Sequence, residues 1–134
     1  MVKTRVNQRV FRKRVLAAYD FKCCLTGLEY PYLLNAGHII PWKDRESTRL
    51  NPRNGLCLNV SLDRAFDRGV FTVTPEFVVK FSKKFLNDES MSETARFVTS
   101  FDGMKINSPT FLAPAREFLE YHNKNVFECK AFNG

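Results

Sequence analysis

No stretch of this 134-residue chain stays apolar for long: the longest uninterrupted run is Val15–Tyr19, bounded by Arg14 and Asp20. A membrane helix needs roughly 18 such residues, and the run is also too short for a secretory h-region, so neither is expected. Residues 1–19 are Arg-rich and free of acids, as a transit peptide is, but they lead directly into structured sequence. Cysteine is scarce and spaced for neither staples nor metal. Of Cys23, Cys24, Cys57 and Cys129 two are adjacent, and there is no C-x-x-C pair. That spacing argues against a disulfide framework and against a zinc knuckle. Free thiols suit a reducing compartment, and we expect a cytoplasmic protein of a prokaryote. Gly/Ser linkers and internal repeats are missing too, so the length reads as one domain of the usual size. An apolar fraction of 44% with 26% charged residues suffices for a packed core and excludes disorder and collagen-like repeats.

The charge is unevenly spread. Residues 1–70 carry 13 basic and 6 acidic side chains, net +7, whereas residues 71–134 carry 8 of each. The whole excess of the chain therefore lies in its first half. One-sided basic charge points to a polyanionic partner, most often nucleic acid, although many ordinary soluble domains are basic.

Residues 5–19 read as a helix, because Phe11, Val15, Ala18 and Tyr19 fall on one face. Arg5, Arg9, Arg12 and Lys13 repeat that spacing on another face, as either a solvated surface or a phosphate-binding one. Phe21–Thr26 is expected as a short strand turning at Gly27, and Leu33–Ile40 as an extended segment ended by Pro41. The stretch Lys43–Asn54 is polar and rich in turn residues. Val60–Asp67 is a short helix with Asn59 or Ser61 at its cap and Gly69 past its end. Val70–Val73 and Phe77–Phe81 form a hairpin across Thr74-Pro75-Glu76. Asn87–Thr94 is a loop or short helix. Phe101–Ile106 is a second hairpin turning at Asp102-Gly103, and Pro114–Phe127 is a closing helix. Short elements punctuated by Gly and Pro define an α+β chain.

Chemistry concentrates in the middle. The chain has two histidines, His38 and His122. His38 ends an extended segment, Asn35-Ala-Gly-His-Ile-Ile-Pro-Trp42. Asn54 lies sixteen residues on, Asp63 nine further, and Asp67 one helical turn after that. Carboxylates four apart on a helix repel each other; a divalent cation would relieve this, and so would Arg64 and Arg68. His122 reads as a structural residue, and Trp42 as a ring packed over the strand end.

These segments together resemble the HNH endonucleases, in the branch assigned to restriction endonucleases. The resemblance is carried by His38-Ile-Ile-Pro-Trp42, Asn51-Pro-Arg-Asn-Gly-Leu-Cys-Leu58 and Leu62-Asp-Arg-Ala-Phe-Asp-Arg-Gly69. The flanks Gln8–Arg12, Cys24–Gly27 and Ile106–Phe127 support it, so it covers nearly the whole chain. It implies a ββα-metal (His-Me finger) core over about residues 21–70, with an N-terminal helix, added β-hairpins and a C-terminal helix. Residues 1–134 would form a single nuclease domain, which in this family is often a fragment of a longer chain with recognition or sensor domains.

The resemblance gives His38 the role of general base and Asn54 that of holding it in position. It gives Asp63 the role of metal ligand, with Asp67 a second. Lys43, Arg64 and Arg68 join Arg5, Arg9, Arg12 and Lys13 as phosphate contacts. The implied activity is metal-dependent hydrolysis of DNA phosphodiester bonds, in restriction or phage defence. RNA is the narrower alternative substrate, and a homodimer or a fused domain the alternative assembly; no membrane partner is implied.

Three departures from the family pattern matter. Asp stands at position 63 where the family name expects His, which shifts preference to Mg²⁺ or Mn²⁺. Gly37 stands directly before the base, where many relatives carry an Asp or His ligand. The partner positions of Cys24 are Gly27, Asn59 and Leu62, so no structural zinc is expected, and Cys24 and Cys57 read as buried small hydrophobes. Gly37 and Asp63 are also what a catalytically inactive DNA-binding module of the same fold would show. An interaction domain docking an acidic partner through the basic helix is a further alternative.

Overall fold

The computed structural model describes residues 2–90 and 92–129. Helix α1 spans Val2–Ala18. Its apolar face, Phe11, Val15, Leu16 and Ala18, is buried, and Tyr19 follows it into the core. Two antiparallel strands come next, β1 (Leu34–His38) and β2 (Gly55–Asn59), in a register that sets Leu34 opposite Asn59 and His38 opposite Gly55. Gly55 is required by packing rather than by dihedral freedom: a Cβ there would run into Val15 and Phe11 of α1. Helix α2 (Val60–Asp67) leaves β2 without a loop, because the Asn59 side chain accepts a hydrogen bond from Leu62 N at 2.9 Å and caps it. Its apolar residues Leu62 and Phe66 are buried and anchor it. At its end Gly69, with φ +76°, takes the left-handed turn, and a Cβ there would collide with the backbone of Val126.

A second antiparallel pair, β3 (Phe71–Val73) and β4 (Val79–Phe81), follows as expected. Helices α3 (Lys83–Leu86), α4 (Glu93–Thr99) and α5 (Arg116–Asn125) complete the chain. The architecture is α+β, the ββα-metal arrangement β1–β2–α2 with a leading helix, a hairpin and a closing helix. No helix among the described residues is long and apolar enough to cross a membrane.

Local expectations fail in three places. Phe21–Thr26 is not a strand: Asp20 and Phe21 both have φ of 56°, and Gly27 N–H closes a turn onto Cys23 O at 2.9 Å. Cys24 N–H instead reaches Cys57 O on β2 at 2.8 Å, so one backbone bond ties this turn to the sheet. Phe101–Ile106 turns at Asp102-Gly103 as expected, with Met104 N–H donating to Phe101 O at 3.0 Å, but its arms do not pair with each other. It runs irregularly beside β4, with Val79 N–H donating to Met104 O and Gly103 N–H to Val79 O, and one bridge between Val78 and Lys105. The Asp102 carboxylate caps Phe81 N–H at 2.8 Å, which ties that turn residue to β4 rather than to a hairpin partner. Lys83–Leu86, finally, is a one-turn helix that no sequence feature announced.

His122 sits on α5 and is structural. It is buried and stacked on Phe66 at 3.8 Å. Its Nε2–H donates to Phe66 O, and Nδ1 accepts from the Thr72 hydroxyl. Through these bonds the closing helix braces the far end of α2. Cys23, Cys24 and Cys57 are buried free thiols. Burial pushes the Cys57 thiol up to about 12 and Cys24 well above its ordinary value, which makes both inert.

Candidate active site

His38, at the last position of β1, is fixed from three sides. The Phe11 ring of α1 stacks on it at 4.4 Å and 10°, and Trp42 meets it edge-on at 5.7 Å. Its Nε2 lies 2.8 Å from Arg49 O. A carbonyl can only accept, so Nε2 carries the proton and Nδ1 is left with the lone pair in the neutral ring. Arg49 is itself held by donating from Nε to Trp42 O at 2.7 Å, with its guanidinium over the Trp42 ring at 4.8 Å. Burial, the largest influence, holds the His38 pKa below the ordinary imidazole value, against the Arg49 hydrogen bond and the charges of Asp63 and Asp67. A base that is neutral at physiological pH results.

Asn54 is fully buried and does not line the cleft beside His38. Its side chain grips the residues after the histidine: Oδ1 accepts from Ile40 N–H at 2.8 Å, and Nδ2 donates to Ile40 O and to Thr48 O. Its own carbonyl accepts from Ile39 N–H. Asn54 therefore sets the exit of β1 and, through Thr48, the loop that carries Arg49. It acts on the histidine through backbone.

The cleft, about 340 Å³, is lined by Asn35, Ala36, Gly37, His38, Pro41, Trp42, Val60, Asp63, Arg64 and Asp67. The structure thus brings His38, Asp63, Arg64 and Asp67 to one hollow. Asp63 is half-buried and accepts from Asn35 Nδ2 at 3.0 Å through Oδ2. Burial raises its pKa most, the Asp67 charge adds to this, and Asn35 and His38 lower it. No Arg or Lys among the described residues lies within ion-pair distance of Asp63 or Asp67, so the alternative of Arg64 or Arg68 neutralising them is not realised.

Two repelling carboxylates with free oxygens, and no soft ligand in the cleft, fit a hard divalent cation that keeps most of its water. Asp63 and Asp67 would hold it. Among the described residues no group of three or more His, Cys, Asp or Glu side chains gathers to hold a metal, so such a shell depends on water and substrate oxygens.

The other basic residues are more scattered. Arg5, Arg9 and Lys13 are exposed on α1 and form no ion pair among the described residues. Arg12 is engaged differently: its Nη2 donates to Pro31 O and Leu34 O, pinning the turn before β1. Lys43 is exposed in the loop after Trp42, and Arg68 is the half-buried C-cap of α2; neither lines the cleft. Residue type and spacing do not mark Arg49, Asn35 or Phe11 as site residues. Arg49 acts on His38 through a main-chain carbonyl, which no residue type reveals, and Phe11 gives only a core signal.

Strand, strand and helix around a histidine cleft define the ββα-metal class. Residues 23–74, the segment that carries β1, β2 and α2, match the HNH endonuclease family model. No curated protein matches it. Among solved structures it is similar to a "Modification dependent TagI restriction endonuclease", with a TM-score of 0.59 and 18% identity over 92% of this chain. The chain spans 39% of the length of that structure, and at this identity the likeness is one of fold.

Proposed function

We propose that the chain is a metal-dependent HNH endonuclease domain that hydrolyses DNA phosphodiester bonds, with His38 as general base, in restriction or phage defence. The observation that carries this reading is the His38 tautomer: Nε2–H is tied to Arg49 O, and the ring is clamped between Phe11 and Trp42. In a merely structural histidine both ring nitrogens are normally satisfied, as they are in His122.

Nδ1 of His38 takes a proton from the water that attacks phosphorus in line. The new P–O bond forms as the bond to the departing oxygen breaks, and solvent protonates that oxygen. Mg²⁺ or Mn²⁺ held by Asp63 and Asp67 would supply polarisation of the phosphoryl oxygen and stabilisation of the leaving one. Arg64, exposed at the cleft, binds a phosphate, and Arg5, Arg9 and Lys13 add sequence-independent affinity for the backbone. RNA fits the same chemistry, and a homodimer or fused recognition domain would supply cleavage of the second strand and sequence choice.

The rival reading is a DNA-binding module of the same fold that has lost catalysis, and the small number of protein ligands favours it. Plasmid nicking in Mg²⁺, Mn²⁺ and EDTA separates the two. The nuclease reading expects nicking only with metal, lost in both His38→Ala and Asp63→Ala. Wild-type protein that binds DNA in a salt-sensitive manner yet never nicks it contradicts that reading.

A further inference from the structure

Asn35 and Gly37 lie two apart on β1 and so share the face on which α2 packs. Both bear on one carboxylate. Asn35 Nδ2 donates to Asp63 Oδ2 at 3.0 Å. The other oxygen, Oδ1, occupies the space that a Cβ at residue 37 would fill. Helix α2 does not need either contact in order to dock, because Leu62 and Phe66 are buried at 3% and 0% exposure and anchor it. The chemistry of the Asn35 contact also differs from that of a salt bridge. An amide fixes a carboxylate without cancelling its charge, whereas an arginine there would compete with a cation.

We infer that Asn35 and Gly37 are positioning residues for the Asp63 carboxylate: Asn35 pins one oxygen, and the bare Gly37 backbone leaves room for the other at the cleft wall, where it is free for a divalent cation. This rests on the metal reading of Asp63 given above. It makes Gly37 a requirement of the ligand geometry, and it gives the strand a part in metal binding although position 37 supplies no side chain. The colliding atom at position 37 is the far end of the Asp63 side chain, with Asp63 Cγ at 3.4 Å and Leu58 Cδ1 at 3.5 Å in ordinary contact. A methyl group there turns the carboxylate aside and leaves the fold in place.

Mn²⁺ binding without nucleic acid, followed by the electron paramagnetic resonance of the free ion, tests the inference. Asn35→Ala and Gly37→Ala are each expected to bind Mn²⁺ about 10–100-fold more weakly than wild type, the usual effect of removing an orienting partner. Both variants are expected to melt in EDTA close to wild type, while the rise in melting temperature on adding Mn²⁺ shrinks. In an Asp63→Asn background neither change has any further effect, since both act through that carboxylate. Variants that bind Mn²⁺ like wild type, or that weaken binding equally without the Asp63 carboxylate, overturn the inference. If Gly37→Ala does not fold, Asn35→Ala carries the test. Wild-type protein that takes up no Mn²⁺ overturns the metal reading itself, which is a separate result.

Discussion

The proposed role of His38 as a base requires a neutral ring, and burial favours that state. The rate of DNA nicking is therefore expected to rise with pH through a His38 pKa below about 6.5, the ordinary imidazole value, and to be flat above it on the acid side of neutrality. A pH–rate profile checks this, and an acid limb centred above that value would contradict it. The same shift has a stability sign. Below the unfolded pKa the unfolded chain binds the proton more readily than the folded one, so stability falls as pH drops from the unfolded value through the folded one. Asn54 offers a second test, because three hydrogen bonds meet on a fully buried amide. Asn54→Ala is expected to cost about 2–4 kcal/mol in denaturant unfolding, through unsatisfied backbone at Ile40 and Thr48. His38, Asn54, Asp63 and Asp67 stand out through the resemblance to the HNH endonucleases, and the structure brings His38, Asp63 and Asp67 to one cleft. Arg49 and Asn35 do not stand out, since one acts through a main-chain carbonyl and the other by holding a neighbour.

Helix α2 is the element on which the cleft depends, and both its ends are readable. Asn59 or Ser61 marks the cap, of which the structure uses Asn59, and Gly69 gives the stop. Asn59→Ala is expected to destabilise by about 1 kcal/mol, measured by chemical unfolding, with little change in the far end of the helix. Gly69→Ala costs more, because its φ of +76° and the nearby Val126 backbone leave a Cβ no room; a loss of about 2 kcal/mol or more is expected. What does not show in the sequence are elements shaped by distant partners. Phe21–Thr26 has strand-like composition, but its backbone bonds go to the end of α1, to the turn residues Gly27 and Leu28, and to the distant Cys57 and Asn107. Phe101–Ile106 makes its turn at Asp102-Gly103, but the arm after the turn pairs beside β4. Local pattern carries no information about such partners.

Taken whole, the molecule puts its excess positive charge and its histidine cleft in the same half of the chain. Arg5, Arg9 and Lys13 stand exposed on α1, whose Phe11 stacks on His38. DNA binding is expected to weaken steeply with salt. Replacing these three residues by Gln reduces the slope of log K against log salt by up to about 0.9 for each phosphate that the variant no longer neutralises, as fluorescence anisotropy over a salt series would show. An unchanged slope would place the DNA elsewhere. For the proposed chemistry the sharpest measurement is rescue of the base. In His38→Gly the ring is removed and its place beside Phe11 is left open to a small molecule. Metal-dependent plasmid nicking is expected to vanish in that variant and to return in proportion to added imidazole, while Asp63→Ala stays inactive with or without imidazole. Nicking by His38→Gly at the wild-type rate without imidazole would contradict the assignment of His38 as the general base.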